Sequence, residues 1–181
     1  MIPQDDDLLL DGPHAPEAKQ PPKLDPREFR GHLGCFATGV TVITALGHRD
    51  QKLGVTANSF NSVSLDPPLV LFSLDRRAYS LWDFLSTGHF AVNVLAEDQA
   101  ELSTRFARPK GDKWSGVRWA TWDHGCPILL GCHANFECSI AYTHAGGDHV
   151  IFVGQVERMG CDVEKAPLVF YRGGYRSLAP A

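Results

Sequence analysis

A polar segment with few charges, residues 56–64, ends just before an Asp-Pro-Pro turn and an apolar stretch. Its sequence is Thr-Ala-Asn-Ser-Phe-Asn-Ser-Val-Ser. Small hydroxyl and amide side chains, together with backbone amides, donate and accept hydrogen bonds without adding charge. Such groups suit an uncharged planar ring edged with carbonyls and nitrogens. A serine-rich turn without a ligand is the alternative, and composition alone leaves both interpretations open.

A second candidate is His149, which follows the turn-forming residues Gly146-Gly147-Asp148 and begins a predicted strand. An imidazole in that position either orients a ligand by hydrogen bonding or bonds only to its own turn. Taken by itself, the structural role is the commoner of the two.

Patterns typical of several other chemistries are absent from the sequence. It contains no G-x-S-x-G, no G-x-x-x-x-G-K-[ST], no H-E-x-x-H and no G-x-G-x-x-G after a strand. Serine hydrolysis, nucleoside triphosphate binding and a Rossmann-bound dinucleotide are therefore disfavoured. Three of the five cysteines, at positions 126, 132 and 138, are six residues apart, which matches no common zinc pattern. No metal site is predicted.

The net charge of −4 lies entirely before Arg27, and acidic and basic residues balance over the rest of the 181-residue chain. A balanced folded part has no electrostatic footprint for nucleic acid or an anionic membrane, so neither is a predicted partner. No apolar stretch reaches the roughly 20 residues of a membrane helix, and the amino terminus lacks the features of a signal peptide. We therefore expect a cytoplasmic protein.

The folded part is predicted to begin near Asp25. Residues 1–24 are acidic and rich in proline, which predicts a disordered tail. Asp25 and Pro26 are typical of a helix start, and Glu28 completes a capping box. Apolar residues at helical spacing extend this helix toward Gly39. Residues 25–181 are predicted to form one domain around a single core.

Most of that domain is predicted as β-structure. Only residues 80–85 and 98–106 look helical in the interior of the chain. Many strands with few helices predict a mainly β barrel or sandwich with short peripheral helices. The predicted strands cover residues 40–44, 54–58, 69–74, 89–95, 131–143, 150–158 and 168–171.

The two longest predicted strands differ in pattern. Residues 131–143 alternate between an apolar face with Phe136, Cys138 and Tyr142 and a polar face with Glu137. Residues 150–158 carry apolar side chains on both faces, as expected for a barrel wall that also meets a partner subunit.

Four linked stretches resemble the short-chain flavin reductases. They are Phe-Ala-Thr-Gly-Val-Thr-Val at 36–42, Gly-Val-Thr-Ala-Asn-Ser-Phe at 54–60 with Ser-Val-Ser-Leu-Asp-Pro-Pro-Leu-Val at 62–70, Phe-Ala-Val-Asn-Val-Leu at 90–95, and Gly-Asp-His at 147–149 followed by Ile-Phe-Val-Gly-Gln-Val at 151–156. The resemblance extends over roughly residues 24–178. It implies a split β-barrel that binds FMN or FAD, as a homodimer with the flavin near the subunit interface.

The resemblance also implies a set of site residues. The flavin ring is expected against the segment 56–60 and Ser62. The phosphate is expected at Ser73, Ser80 and Arg77, since a helix start with nearby arginines favours an anion. Many relatives have a serine where this chain has Ala78. In full, the residues implied to bind the cofactor are Thr56, Ala57, Asn58, Ser59, Phe60, Ser62, Ser73, Arg77, Ser80, Arg105, Gly147, Asp148 and Tyr175.

His149 is the catalytic residue that the resemblance implies, because it would orient NADH or NADPH so that nicotinamide C4 delivers a hydride to flavin N5. Asp148 is expected mainly to form the turn. Arg105 either contacts flavin phosphate or caps its helix, and Tyr175 would close the nicotinamide side.

The expected function is an NAD(P)H-dependent flavin reductase that supplies reduced FMN or FAD to a separate monooxygenase. Two alternatives stay open: an electron-transfer flavoprotein with tightly bound FMN, and a flavin-binding protein without reductase activity.

Overall fold

A computed structural model describes residues 23–179, so nearly all of the predicted tail lies outside the described residues. This part of the chain is mostly β-structure with short helices, which confirms the predicted fold class. No helix in it is long and apolar enough to span a membrane. The helices are α1 (Pro26–Leu33), α2 (Leu81–Thr87) and α3 (Ala100–Ala107), and the strands are β1 (Thr38–Gly39), β2 (Thr41–Leu46), β3 (Lys52–Ala57), β4 (Asn61–Leu65), β5 (Pro68–Asp75), β6 (His89–Val94), β7 (Trp119–Thr121), β8 (Pro127–Leu129), β9 (Ala134–Gly146), β10 (His149–Cys161), β11 (Val169–Tyr171) and β12 (Gly174–Arg176).

Seven antiparallel strands form the main sheet in the order β3-β2-β6-β9-β10-β5-β4. Its two edge strands, β3 and β4, are consecutive in the chain and are joined by residues 58–60 alone. Four peptide steps span at most about 14 Å, so the sheet must curl until its edges nearly meet. No hydrogen-bonded ladder joins these two edges within the described residues. The sheet is therefore a barrel left open along one seam, and residues 58–60 cross that seam.

Aromatic side chains fill the inside of the curled sheet. The rings of Phe72 and Phe152 stack with centroids 4.8 Å apart, and Phe90 meets Phe72 edge-on at 5.0 Å. Helix α2 adds the fully buried Phe84, whose ring lies 6.2 Å from that of Phe72. Because Phe84 and Leu81 anchor α2 in the core, the segment just before the helix is held at one end of the barrel.

Glycines allow two close approaches in this packing. A Cβ on Gly54 in β3 would lie 2.3 Å from the ring of Phe106 in α3. A Cβ on Gly154 in β10 would lie equally close to the ring of Phe90. Since Phe106 is fully buried, α3 packs directly on the backbone of β3.

The structure corrects the predicted first helix. Asp25 does cap it, because its Oδ1 accepts the Arg27 N–H at 2.7 Å. However, α1 ends at Leu33, where the following Gly34 N–H bonds back to the carbonyl of Arg30. None of the residues of α1 is buried against the rest of the described chain. The apolar spacing therefore predicted a longer helix than the one observed.

The predicted face assignment of β9 also needs correction. Glu137, predicted on a polar face, is fully buried, because residues 122–126 cover that face. Tyr142, predicted on the apolar face, is 59% exposed. Its partner in β10 is Val153, and the register shifts between Val153 and Gly154, so a bulge turns Tyr142 to the other face. The strands β1, β4, β7, β8 and β12 were not predicted.

Candidate functional site

The seam of the barrel is held by a contact between Ser59 and Ser73. The hydroxyl of Ser59 accepts the Ser73 N–H at 3.0 Å and donates to the Ser73 carbonyl at 3.3 Å. The last backbone pair between β4 and β5 is Asn61 with Leu71. Beyond that pair, the Ser59 hydroxyl takes the place of a neighbouring strand and hydrogen-bonds to the backbone N–H and carbonyl of Ser73. The two predicted site residues therefore meet, and their contact fixes the segment that crosses the seam.

A second contact fixes Thr56 and Tyr175 on the same residue of α3. The Thr56 hydroxyl donates to the Ser103 carbonyl at 2.6 Å. The Tyr175 hydroxyl donates to the Ser103 hydroxyl at 2.8 Å. Ser103 is fully buried and was missed in the sequence, where nothing distinguishes it from other helical serines.

The remaining residues of the polar segment divide between surface and core. Asn58 and Ser62 are exposed. Ala57 is half-buried and accepts a hydrogen bond from the Thr41 hydroxyl at 2.7 Å through its carbonyl. Phe60 packs with its ring centroid 5.8 Å from that of Phe136. Only part of this segment thus presents side chains to a ligand.

His149 lies at the tip of the hairpin between β9 and β10. Gly147 turns the chain with φ of +70°, a conformation that favours glycine. The next residue, Asp148, places Oδ1 2.7 Å from His149 Nδ1. This hydrogen bond lowers the pKa of the Asp148 carboxyl below its usual value. The tip is also tied to the end of β5, because the Arg76 N–H donates to the Asp148 carbonyl at 2.9 Å.

Asp75 connects this tip with the segment that leads into α2. It is the cross-strand partner of His149. Its carboxylate accepts Nε and Nη2 of Arg77 at 3.1 and 2.8 Å, and also the Arg77 backbone N–H at 2.8 Å. These bonds hold the pKa of Asp75 well below its ordinary value and raise that of Arg77. Asp75 was not predicted as a site residue.

A cleft of about 790 Å³ lies on the other side of this segment. Its walls are the start of β3, Asp75 and residues 77–80 with Asp83, and the loop after α3 up to Trp114. Of the predicted site residues it contains Arg77 and Ser80, with Ala78 between them. Ser80 occupies the residue before α2, and its hydroxyl makes no hydrogen bond to the first turn of the helix. The segment 56–62 and His149 do not line the cleft.

Lys113, on the loop wall of the cleft, was missed in the sequence. Its Nζ donates to the carbonyls of Gly54 and Phe106 at 3.0 and 3.1 Å, and burial lowers its pKa. Lys113 lies in residues 108–123, a stretch whose glycine and lysine content is typical of a loop. No pattern in that stretch marks Lys113, because its position depends on contacts with distant residues.

Arg105 lies outside this cleft. Its Nη1 donates to the Ser115 carbonyl at 2.8 Å, so it braces the loop after α3. It lines a separate cavity of about 460 Å³ together with Tyr175. The structure therefore separates Arg105 and Tyr175 from Arg77 and Ser80.

The site thus has two connected parts. One is the seam with the neighbouring hairpin tip, which carry small polar groups and an imidazole. The other is the cleft, where hydroxyl and cationic groups line an open groove. A ligand with a planar polar ring and an anionic tail fits the chemistry of this pair, since the ring needs uncharged donors and the tail needs cations.

Comparisons with known proteins agree with this chemistry. A family model described as a flavin reductase like domain matches residues 33–179. The reductase subunit HsaB of a flavin-dependent monooxygenase from Mycobacterium tuberculosis is 42% identical over 160 residues, which cover 87% of this chain and 85% of that protein. An NADH-dependent flavin reductase from a Rhodococcus species is 41% identical over 159 residues, covering 87% and 89%. The NADH:FAD oxidoreductase SgcE6 of Streptomyces globisporus C-1027, solved with NAD and FAD fragments, superposes with a TM-score of 0.82 at 37% identity, covering 87% and 96%.

Proposed function

The chain belongs to the flavin reductase like family, and on that basis we propose that it reduces FMN or FAD with NADH or NADPH for use by a separate monooxygenase. The relatives with these activities match most of this chain and most of their own length. The two-part site supports the same reaction, because it offers separate places for a polar ring and for a phosphate.

The protein's part in this reaction is to bind and orient. When bound, the flavin supplies the redox chemistry and accepts at N5 the hydride that nicotinamide C4 donates. Ser59 and Ser73 fix the backbone of the seam, where residues 57–60 would contact the ring. Ser80 and Arg77 would hold the phosphate at the near end of the cleft.

The observation that carries the proposal is the placement of His149. The Asp148 carboxylate lies within hydrogen-bond distance of His149 Nδ1. His149 is paired across the strands with Asp75 of β5, and Asp75 is two residues beyond Ser73, which makes the seam contact. Two residues along a strand span about 7 Å. His149 is therefore close enough to the seam to orient a nicotinamide against a ring that lies there. Hydride transfer needs no proton at that instant, so orientation is the role that this geometry supports.

Replacing His149 tests this role. We expect His149→Ala to lower NADH-dependent flavin reduction at least about tenfold and to change flavin affinity by less than about twofold. His144→Ala is the matched control, because His144 lies on the same sheet face beside Ile151 and not at the tip. Unchanged turnover in His149→Ala would show that the nicotinamide role is wrong.

The state of the flavin separates the proposed function from its alternatives. The side chain of Arg77 is 83% exposed, so the phosphate end of the site is open to solvent. This openness favours a flavin that exchanges freely. Flavin that stays with the protein through gel filtration would instead identify a prosthetic group, and bound flavin without NADH oxidation would identify a binding protein.

We also propose that the protein is a homodimer. Helix α1 exposes Phe29 and Leu33, and Leu65 at the edge of the sheet is almost fully exposed. A second copy that covers these side chains would remove apolar surface from water. Sedimentation of the protein, compared with the Phe29→Glu/Leu33→Glu double variant, should show a dimer that the double substitution dissociates. A wild-type monomer would contradict the proposal.

A further inference from the structure

We propose that Ser103 is a positioning residue, which couples Tyr175 to Thr56 and thereby fixes the segment at which the flavin ring is proposed to bind. This inference rests on the proposed function, since it concerns how the same site is held during hydride transfer. It also changes the roles expected of Thr56 and Tyr175, whose hydroxyl groups act through α3 and not on a ligand.

Ser103 lies where three parts of the fold meet. It is fully buried in α3, which packs on β3 through Phe106 and Gly54. Its carbonyl accepts the Thr56 hydroxyl of β3 at 2.6 Å, and its hydroxyl accepts that of Tyr175 in β12 at 2.8 Å. The strand β3 is an edge of the seven-stranded sheet, whereas β12 belongs to a three-stranded sheet of order β1-β11-β12. One buried residue therefore connects the two sheets.

Both hydroxyl groups that reach Ser103 are fully used as donors. A hydroxyl carries a single hydrogen. The Thr56 hydrogen is directed at the Ser103 carbonyl, and the Tyr175 hydrogen is directed at the Ser103 hydroxyl oxygen. Because Ser103 is fully buried, water does not readily replace either partner. Neither Thr56 nor Tyr175 therefore has a hydroxyl hydrogen left for a ligand.

The bond from Thr56 is the first of three that fix the chain where it approaches and crosses the seam. Next, the Ala57 carbonyl accepts the hydroxyl of the buried Thr41 at 2.7 Å. The Ser59 hydroxyl then bonds to the backbone of β5. Of these three bonds, the one from Thr56 connects the segment to α3. A change at Ser103 is therefore transmitted to the segment through Thr56.

The position of this segment matters more for hydride transfer than for binding. A flavin ring contacts many atoms, so a small shift of one backbone segment changes its affinity little. Hydride transfer requires the donor carbon and the acceptor nitrogen to be close and aligned, and a displacement of about 1 Å can lower the rate about a hundredfold. Ser103 therefore acts on the rate constant of transfer and not on the affinities.

Two conservative variants remove the bond between Ser103 and Tyr175 from its two ends. Ser103→Ala removes the acceptor, and Tyr175→Phe removes the donor but keeps the ring that packs against Phe170. We expect each variant to lower the rate constant of hydride transfer about tenfold and to change the KM for NADH and the flavin dissociation constant by less than about twofold. Anaerobic stopped-flow absorbance, steady-state kinetics and flavin titration measure these quantities. The double variant should be no slower than either single variant, because both changes remove the same bond.

Tyr171→Phe is the matched control for Tyr175→Phe. It makes the same substitution in the neighbouring strand β11, where the Tyr171 ring lies 5.3 Å from Arg172 Cζ. This variant should change neither the rate constant nor the affinities.

Thr56→Val tests the second step of the coupling. It keeps the shape of the side chain and removes the bond to the Ser103 carbonyl. We expect it to slow hydride transfer, and we expect the Thr56→Val/Tyr175→Phe double variant to be slower than the slower single variant by less than about twofold. Effects that multiply independently would overturn the coupling.

Thermal unfolding of the same samples separates positioning from a purely structural bond. An unchanged rate constant in Ser103→Ala or Tyr175→Phe would overturn the inference. A fall in rate that only matches the fraction of unfolded protein at the assay temperature would overturn it as well.

The visible circular dichroism of bound flavin distinguishes failure of this inference from failure of the proposed function. A wild type that reduces flavin, with variants that are equally fast, would overturn only the role of Ser103. A wild type that binds flavin without oxidising NADH would contradict the reductase. In that case, an altered flavin spectrum in Ser103→Ala and Tyr175→Phe would support the positioning role, and an unaltered spectrum would overturn it. Absence of flavin binding would overturn both.

Discussion

His149 Nδ1 lies 2.7 Å from Oδ1 of Asp148, the residue that precedes it in the hairpin turn. A carboxylate only accepts hydrogen bonds, so Nδ1 carries the proton in this contact and Nε2 is the ring nitrogen left to meet a ligand. Asp148 thus does more than form the turn. It orients the imidazole, while the Arg76 N–H holds the Asp148 carbonyl.

Removal of the Asp148 carboxylate should weaken the interaction with the nicotinamide and leave flavin affinity almost unchanged. We expect Asp148→Ala to raise the KM for NADH about tenfold, because the imidazole loses its fixed orientation. The dissociation constant of the flavin should change by less than about twofold. Steady-state kinetics and flavin titration measure the two quantities. Asp162→Ala, at an exposed carboxylate far along the chain, is the control, and an equal loss in flavin affinity would contradict the orienting role.

Asp75 should remain ionised in acid. Its folded-state pKa is lowered from the ordinary value of 3.8, mainly by hydrogen bonds from Arg77. A lowered carboxyl pKa contributes stability that is present above pH 3.8 and is lost as the pH falls through the lowered value. Carboxyl carbon NMR should show Asp75 titrating below pH 3.8 in the wild type and at a higher pH in Arg77→Gln, which loses the guanidinium bonds but keeps the backbone N–H of residue 77. Arg76→Gln serves as the control, and an ordinary Asp75 titration in the wild type would refute the ion pair.

Gly54 should be intolerant of a side chain. Gly54→Ala places a Cβ 2.3 Å from the ring of the fully buried Phe106, so either α3 or β3 must shift. We expect a loss of about 1–3 kcal/mol in the free energy of unfolding, measured by urea denaturation. Gly39→Ala is the comparison, because a Cβ there meets nothing within 4 Å. Similar stabilities of the two variants would contradict the packing of α3 on β3.

Glu137 should be important for stability. Its buried carboxylate accepts the backbone N–H groups of Asp123 and His124 at 2.9 and 3.2 Å. Glu137→Ala leaves both amides without a partner, and we expect a cost of about 3 kcal/mol in the free energy of unfolding. Hydrogen exchange should accelerate at these two amides. Glu164→Ala, at an exposed glutamate, should leave stability and exchange unchanged, and a small effect of Glu137→Ala would show that solvent reaches the amides.

Local signals were sufficient for much of the fold. The β-branched and alternating stretches around β2 and β10 predicted both strands within a few residues, and Asp25 with Pro26 located the start of α1. The strand β4 was missed because its residues are mostly polar. It pairs with β5 at the edge of the sheet, and that pairing depends on the chain crossing the seam. The bulge that exposes Tyr142 likewise depends on the pairing of β9 with β10, and the sequence of a single strand does not indicate it.

The candidate site was predictable to a smaller extent. Motif resemblance singled out His149 and Ser80, which are half-buried at the hairpin tip and just before α2. It could not indicate that the Ser59 hydroxyl hydrogen-bonds to the backbone of Ser73, because that contact depends on the curl of the sheet. Lys113 became a candidate only when the folded chain brought the loop after α3 beside the segment before α2.

The central claim is hydride transfer from reduced nicotinamide to flavin on this protein. The most direct measurement mixes NADH with the protein and oxidised FAD in the absence of oxygen, while the nicotinamide and flavin absorption bands are followed together. The account predicts that both bands decrease in equal molar amounts, at a rate proportional to protein concentration and strongly reduced in His149→Ala. A flavin band that stays unchanged at all protein concentrations, with NADH not consumed, would contradict it.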